Sequence, residues 1–125
     1  MSSLYRQVLL ERYKNLRHKG TLDSADYSVP SHNPSCGDSL TIDLKIDEKD
    51  IVQDASFYGD GCMVSLVATD EIIEHLIGKP ISEIETIDLK QIERWLGNPL
   101  TAGRYNCATL IIQPIKTVVK PRKSD

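Results

Sequence analysis

Residues 39–47 carry the tightest constraint in the chain. Leu40, Ile42, Leu44 and Ile46 alternate there with Thr41, Asp43, Lys45 and Asp47. Successive side chains of an extended strand point to opposite faces, so this run reads as a half-buried β-strand. The polar tetrad Asp47-Glu48-Lys49-Asp50 follows as a turn, and Ile51 to Tyr58 reads as a second strand, which makes an antiparallel hairpin. With the turn at 47–50, Ile46 faces Ile51, Leu44 faces Gln53, Ile42 faces Ala55 and Leu40 faces Phe57. Continued to the open end, this register sets Asp38 against Gly59 and Cys36 against Gly61, one residue from Cys62.

The flanking sequence reads mainly as helix. Tyr5, Val8, Leu9, Tyr13 and Leu16 recur at helical spacing and predict a helix over 3–19 that stops at Gly20. Residues 20–35, rich in Ser, Asp, Pro, His and Asn, predict a loop that wraps across the body. Val64, Val67, Ile72 and Leu76 form the stripe of a helix over 62–77, with Asp70, Glu71, Glu74 and His75 mostly off that stripe and Gly78-Lys79-Pro80 as its stop. Short helices are expected at 81–85 and 89–96. Residues 104–118 suit a helix face through Cys107, Leu110, Ile111 and Val118, with Pro114 set to kink or stop it.

Length and charge narrow the function classes. A chain of 125 residues predicts one domain, with a charged tail at about 119–125 that frays. Fifteen basic against eighteen acidic side chains leave a net charge of −3, which argues against a general nucleic-acid surface. No apolar run approaches the ~20 residues that span a bilayer. No secretory signal is visible at Met1–Arg6, so reduced thiols in the cytoplasm are expected for the three cysteines.

Those cysteines, Cys36, Cys62 and Cys107, form no CxxC pair, so their spacing alone is a weak metal signal. The hairpin register makes the signal stronger, because it brings Cys36, Asp38 and Cys62 to one end. Asp38 shares its face with Leu40, Ile42 and Leu44, and a carboxylate at the rim of an apolar face is costly unless paired, hydrogen-bonded or metal-bound. Cys62 follows Gly59-Asp60-Gly61 and precedes a helix, where exposed amides and the helix dipole favour thiolate. Cys107 lies near the start of the last segment and could meet the same place. Taken singly, each feature has a plain alternative: Cys107 as a small core residue, Asp38 as a strand cap, the glycines as a turn. His32, near the first cysteine, reads as a solvated loop residue or a partner of a ligand, His75 as a surface residue, and Arg104 as a surface ion-pair partner or a cation steadying a thiolate.

Three stretches also carry a recognisable pattern: Asn33-Pro34-Ser35-Cys36-Gly37-Asp38, Gly59-Asp60-Gly61-Cys62-Met63-Val64-Ser65 and Arg104-Tyr105-Asn106-Cys107-Ala108-Thr109-Leu110. With Leu4-Tyr5-Arg6-Gln7-Val8 at the start, the chain resembles the IscU/NifU-like iron–sulfur cluster assembly family, most closely its SufU branch. The resemblance implies an α+β fold, a small antiparallel β-sheet with helices packed on one side. It implies Cys36, Asp38, Cys62 and Cys107 as ligands of Zn2+, Fe2+ or a [2Fe-2S] cluster, and Cys107 as the acceptor of persulfide from a cysteine desulfurase. Cluster-acceptor proteins are the further partners it implies. The implied role is a cluster scaffold, with a zinc-dependent sulfurtransferase that activates its desulfurase as the alternative. A metal-stabilised interaction module without sulfur chemistry is a third reading.

The chain also departs from that pattern. Asn106 stands where the IscU branch has His, and Asn98-Pro99-Leu100-Thr101 does not reproduce that branch's proline-rich chaperone-binding stretch. Leu66-Val67-Ala68-Thr69-Asp70 replaces the family's small-residue run after Ser65. An extra segment that the SufU branch carries between its second and third cysteines is absent.

Overall fold

A computed structural model describes residues 3–33, 37–97, 100 and 105–119, with the side chains of 3–6 left out. The elements run in the order α1 (Ser3–Lys14), β1 (Tyr27–Asn33), β2 (Asp38–Ile46), β3 (Val52–Asp60), α2 (Met63–Leu76), a 3-10 turn (Ile81–Thr86), α3 (Leu89–Leu96), α4 (Tyr105–Ala108) and α5 (Ile112–Val118). The three strands make one antiparallel sheet in the order β1-β2-β3. This is the α+β arrangement expected.

The alternating run sits in the middle of the sheet. Leu40, Ile42, Leu44 and Ile46 point into a single core with Val29, Ala55 and Phe57 from the neighbouring strands. Val64, Val67, Ile72, Ile73 and Leu76 of α2, Ile92 and Leu96 of α3 and Ile115 of α5 fill the same core from the helical side. Burying this aliphatic surface is the main stabilising term. On the opposite face Asp43 is buried too, because the Leu22 N–H (3.1 Å) and the Ser28 hydroxyl (2.7 Å) donate to its carboxylate. Among the described residues no helix is long and apolar enough to cross a membrane.

The hairpin is present, but its register differs from the expected one by two residues. Ile46 pairs with Val52, Leu44 with Ala55 and Ile42 with Phe57, with a bulge between Lys45 and Ile46. Two causes add up. The turn extends to Ile51, whose N–H donates to Asp47 Oδ1 (2.9 Å), and Gln53 is an additional residue on β3. Beyond the bulge the slip is even, so Ala55 and Phe57 keep their expected face, whereas on the turn side Val52 takes the buried place expected for Ile51, and Gln53 is exposed.

Three other expectations are corrected. Residues 27–33 are not loop: they form β1, an edge strand whose inward positions Val29, Ser31 and Asn33 are buried. Pro30 is tolerated there because an edge strand can spare an N–H. The first helix ends at Lys14, not at 19. Asn15 closes it by donating from its side chain to Glu11 O (2.8 Å), and the chain then pairs with β3, with Phe57 N bonded to His18 O and Gly20 N to Phe57 O. On this helix Leu9 is buried, whereas Val8 and Tyr13 of the expected stripe are exposed. Finally, Pro114 stands in the first turn of α5, where no intrahelical N–H is needed, and the break falls before it at 109–111. Val119 caps α5 and is buried. The tail from 120 onward lies outside the described residues.

Candidate metal centre

Three elements deliver the candidate ligands. Asp38 opens β2, Cys62 is the N-cap of α2, and Cys107 sits in the short α4. One carboxylate oxygen and the two sulfurs lie within 4.8 Å of one another. Asp38 and Cys107 are buried, 3% and 2% exposed, and Cys62 is half-buried at the rim. Tetrahedral zinc with Zn–S bonds of about 2.3 Å sets its sulfurs about 3.8 Å apart, so these donors need to close by about an ångström at most. Two thiols and a carboxylate in a largely buried spot therefore fit a borderline-soft ion.

The local sequence explains the placement. Cys62 caps α2 in extended conformation and its sulfur accepts the Ser65 N–H at 3.4 Å. Its own N–H donates to Asp38 Oδ1 at 3.1 Å, and the Ser65 hydroxyl donates to Asp38 Oδ2. Gly61 lets these groups approach: a Cβ there would stand 3.2 Å from the Ser65 Cβ and 3.6 Å from Asp38 Oδ1. The two-residue slip in register matters here, since it brings Asp38 itself beside Gly61, the place that the expected pairing gave to Cys36.

The structure thus brings Asp38, Cys62 and Cys107 together, whereas the expected hairpin register sets Asp38 and Cys62 with Cys36 and leaves the place of Cys107 open. Cys36 and Arg104 lie outside the described residues. His32 is on β1, not in a loop; it is exposed and lines, with Asn33, Asn106 and Gln113, a groove of about 580 Å3. His75 is not a simple surface residue, because its ring stacks on Trp95 at 3.9 Å. Asp70, expected off the apolar stripe, is buried and accepts the N–H groups of Arg17 (3.0 Å) and His18 (2.9 Å). Sequence reasoning also missed the role of Ser65. The signal was present in its spacing, three residues after a helix-capping side chain.

Comparison with known proteins adds an independent line. The family model described as NifU-like N terminal domain matches residues 4–123. The zinc-dependent sulfurtransferase SufU of Bacillus subtilis is 36% identical, over 88% of this chain and 85% of its own. That alignment runs over 127 positions, more than the 125 residues available, so the relative carries residues that this chain lacks. The iron–sulfur cluster assembly scaffold protein IscU of Azotobacter vinelandii is 30% identical, over 95% of this chain and 94% of its own. Among solved structures, FiSufU, a SUF-system scaffold candidate from Fervidobacterium islandicum AW-1, superposes with a TM-score of 0.74 at 22% identity, over 91% of this chain and 95% of that one, which speaks for the fold alone.

Proposed function

Because this chain belongs to the NifU-like N-terminal domain family, we propose that it serves iron–sulfur cluster assembly as a scaffold. In this reading it accepts sulfur from a cysteine desulfurase and holds iron, zinc or a nascent [2Fe-2S] cluster on Cys36, Asp38, Cys62 and Cys107. The observation that carries the proposal is the approach of the Asp38, Cys62 and Cys107 donor atoms to within 4.8 Å from distant parts of the chain. A bound ion would keep the thiols deprotonated and arranged. Cluster-acceptor proteins are the recipients this role requires.

Sulfur transfer to Cys107 would need only thiol chemistry. The Cys107 thiolate attacks the outer sulfur of a persulfide on the desulfurase; a new S–S bond forms at Cys107, the donor's S–S bond breaks, and the donor cysteine leaves as thiolate. The terminal sulfur keeps its proton, so no oxidant or reductant is consumed. Cys107 is only 2% exposed, so the donor reaches it after α4 has yielded, while the half-buried Cys62 is more open to the outside.

A second reading, a zinc-dependent sulfurtransferase that activates its desulfurase, is favoured by the 36% identity to a relative of that name. Elemental analysis of anaerobically purified protein with its absorption spectrum tests both. The scaffold reading expects a stable visible chromophore after reconstitution with iron, sulfide and desulfurase. The sulfurtransferase reading expects retained zinc and faster desulfurase turnover. Purified protein with neither metal nor chromophore, and a Cys107→Ser variant that accepts persulfide as well as the wild type, would sink them together.

A further inference from the structure

We propose that Ser65 is a positioning residue that sets the Asp38 carboxylate for metal binding, an inference that rests on the metal site proposed above. Ser65 is fully buried in the first turn of α2, where a hydroxyl without a partner would be costly. A serine inside a helix commonly bonds back to a carbonyl of the preceding turn. Here the hydroxyl donates to Asp38 Oδ2 and lies 3.3 Å from the Cys62 sulfur. Capping of α2 does not explain this arrangement, since the backbone N–H of Ser65 already supplies the capping bond to Cys62 Sγ.

The three residues close a ring. Cys62 N–H holds Asp38 Oδ1, Ser65 Oγ–H holds Asp38 Oδ2, and Ser65 N–H holds Cys62 Sγ. Two oxygens held by neighbouring donors of one helix turn fix the plane of the carboxylate relative to the sulfur, so two of the candidate ligands form one rigid unit. Gly61 leaves room beside Ser65, because a Cβ there would stand 3.2 Å from the Ser65 Cβ, while its 3.6 Å approach to Asp38 Oδ1 would be an ordinary contact. Removing an outer partner that orients a ligand typically weakens metal binding about 10–100-fold.

The test uses the full chain, with Zn2+ affinity measured by competition against a chromophoric chelator and the ligand-field spectrum of the Co2+-loaded protein as a report on geometry. Ser65→Ala is expected to weaken Zn2+ binding about 10–100-fold and to change the Co2+ bands, with the far-UV circular dichroism of the wild type retained. In an Asp38→Ala background the same substitution is expected to add no further loss, because its action runs through the carboxylate. The proposal is overturned if Ser65→Ala binds Zn2+ like the wild type, or if its loss persists in full without Asp38. Should wild type and Cys107→Ser hold Zn2+ equally weakly, the metal site fails; should Cys107→Ser alone lose it, only the role of Ser65 does.

Discussion

Among the described glycines, Gly59 has the least room to change. Its φ is +128°, and a Cβ would stand 2.2 Å from the Ser39 carbonyl oxygen and 3.0 Å from the Leu40 Cα, both backbone atoms that cannot swing aside. Gly59→Ala is therefore expected to cost about 2–4 kcal/mol. Gly78, with φ +88° but open space around its missing Cβ, separates dihedral strain from collision, and Gly78→Ala is expected to cost about 1 kcal/mol. Urea unfolding of the two variants checks this; equal losses would refute the steric account. The glycines of the second cysteine motif were legible as a turn, but that a strand backbone closes on Gly59 follows only from the pairing of β2 with β3. Asp70 shows the same limit. Its acidic type pointed to solvent, yet the Arg17 and His18 amides that end the first segment need an acceptor, and Asp70 supplies it from within.

Among the elements, the β2–β3 turn is held by one carboxylate. Lys49 N–H and Ile51 N–H donate to Asp47 Oδ1 (2.9 Å each) and the Gln53 amide to Oδ2 (2.8 Å). The bond from Ile51 is the largest of the causes that hold the Asp47 carboxyl below its ordinary value. The amide resonances of Lys49 and Ile51 should thus titrate with a midpoint below the ordinary Asp value of about 3.9. A carboxylate with a depressed folded-state value contributes stability that is present above the unfolded value and lost as pH falls through the folded one, so this turn loosens only in acid. A midpoint at or above the ordinary value would contradict the hydrogen bonding. The hairpin itself was legible because alternation is a local property. Its register was not, since the bulge at Gln53 depends on a side chain reaching back to Asp47. The edge strand β1 was missed because Ser28, Pro30 and His32 carry no apolar alternation, and the strand forms by pairing with β2.

For the molecule as a whole, a ligand that binds the folded state alone stabilises it by mass action. The proposed metal site joins β2, α2 and α4, which local sequence does not otherwise connect, so Zn2+ should raise the unfolding temperature of the intact chain. The gain is about 2.7 kcal/mol when free Zn2+ stands at about 100 times its Kd. Calorimetry with Zn2+ and with a chelator checks it, and Cys107→Ser is expected to lose most of the gain; an equal gain in that variant would count against Cys107 as a ligand. From its sequence alone the chain determined the β2–β3 hairpin, the α2 stripe and the identity of the soft donors, because strand and helix periods and side-chain chemistry are local. Only the tertiary structure decided that β1 pairs at the sheet edge, that the register slips by two, and that Ser65 reaches Asp38 while Cys107 arrives from α4. Those contacts join residues far apart in the chain, and packing of the core, rather than any local preference, selects among them.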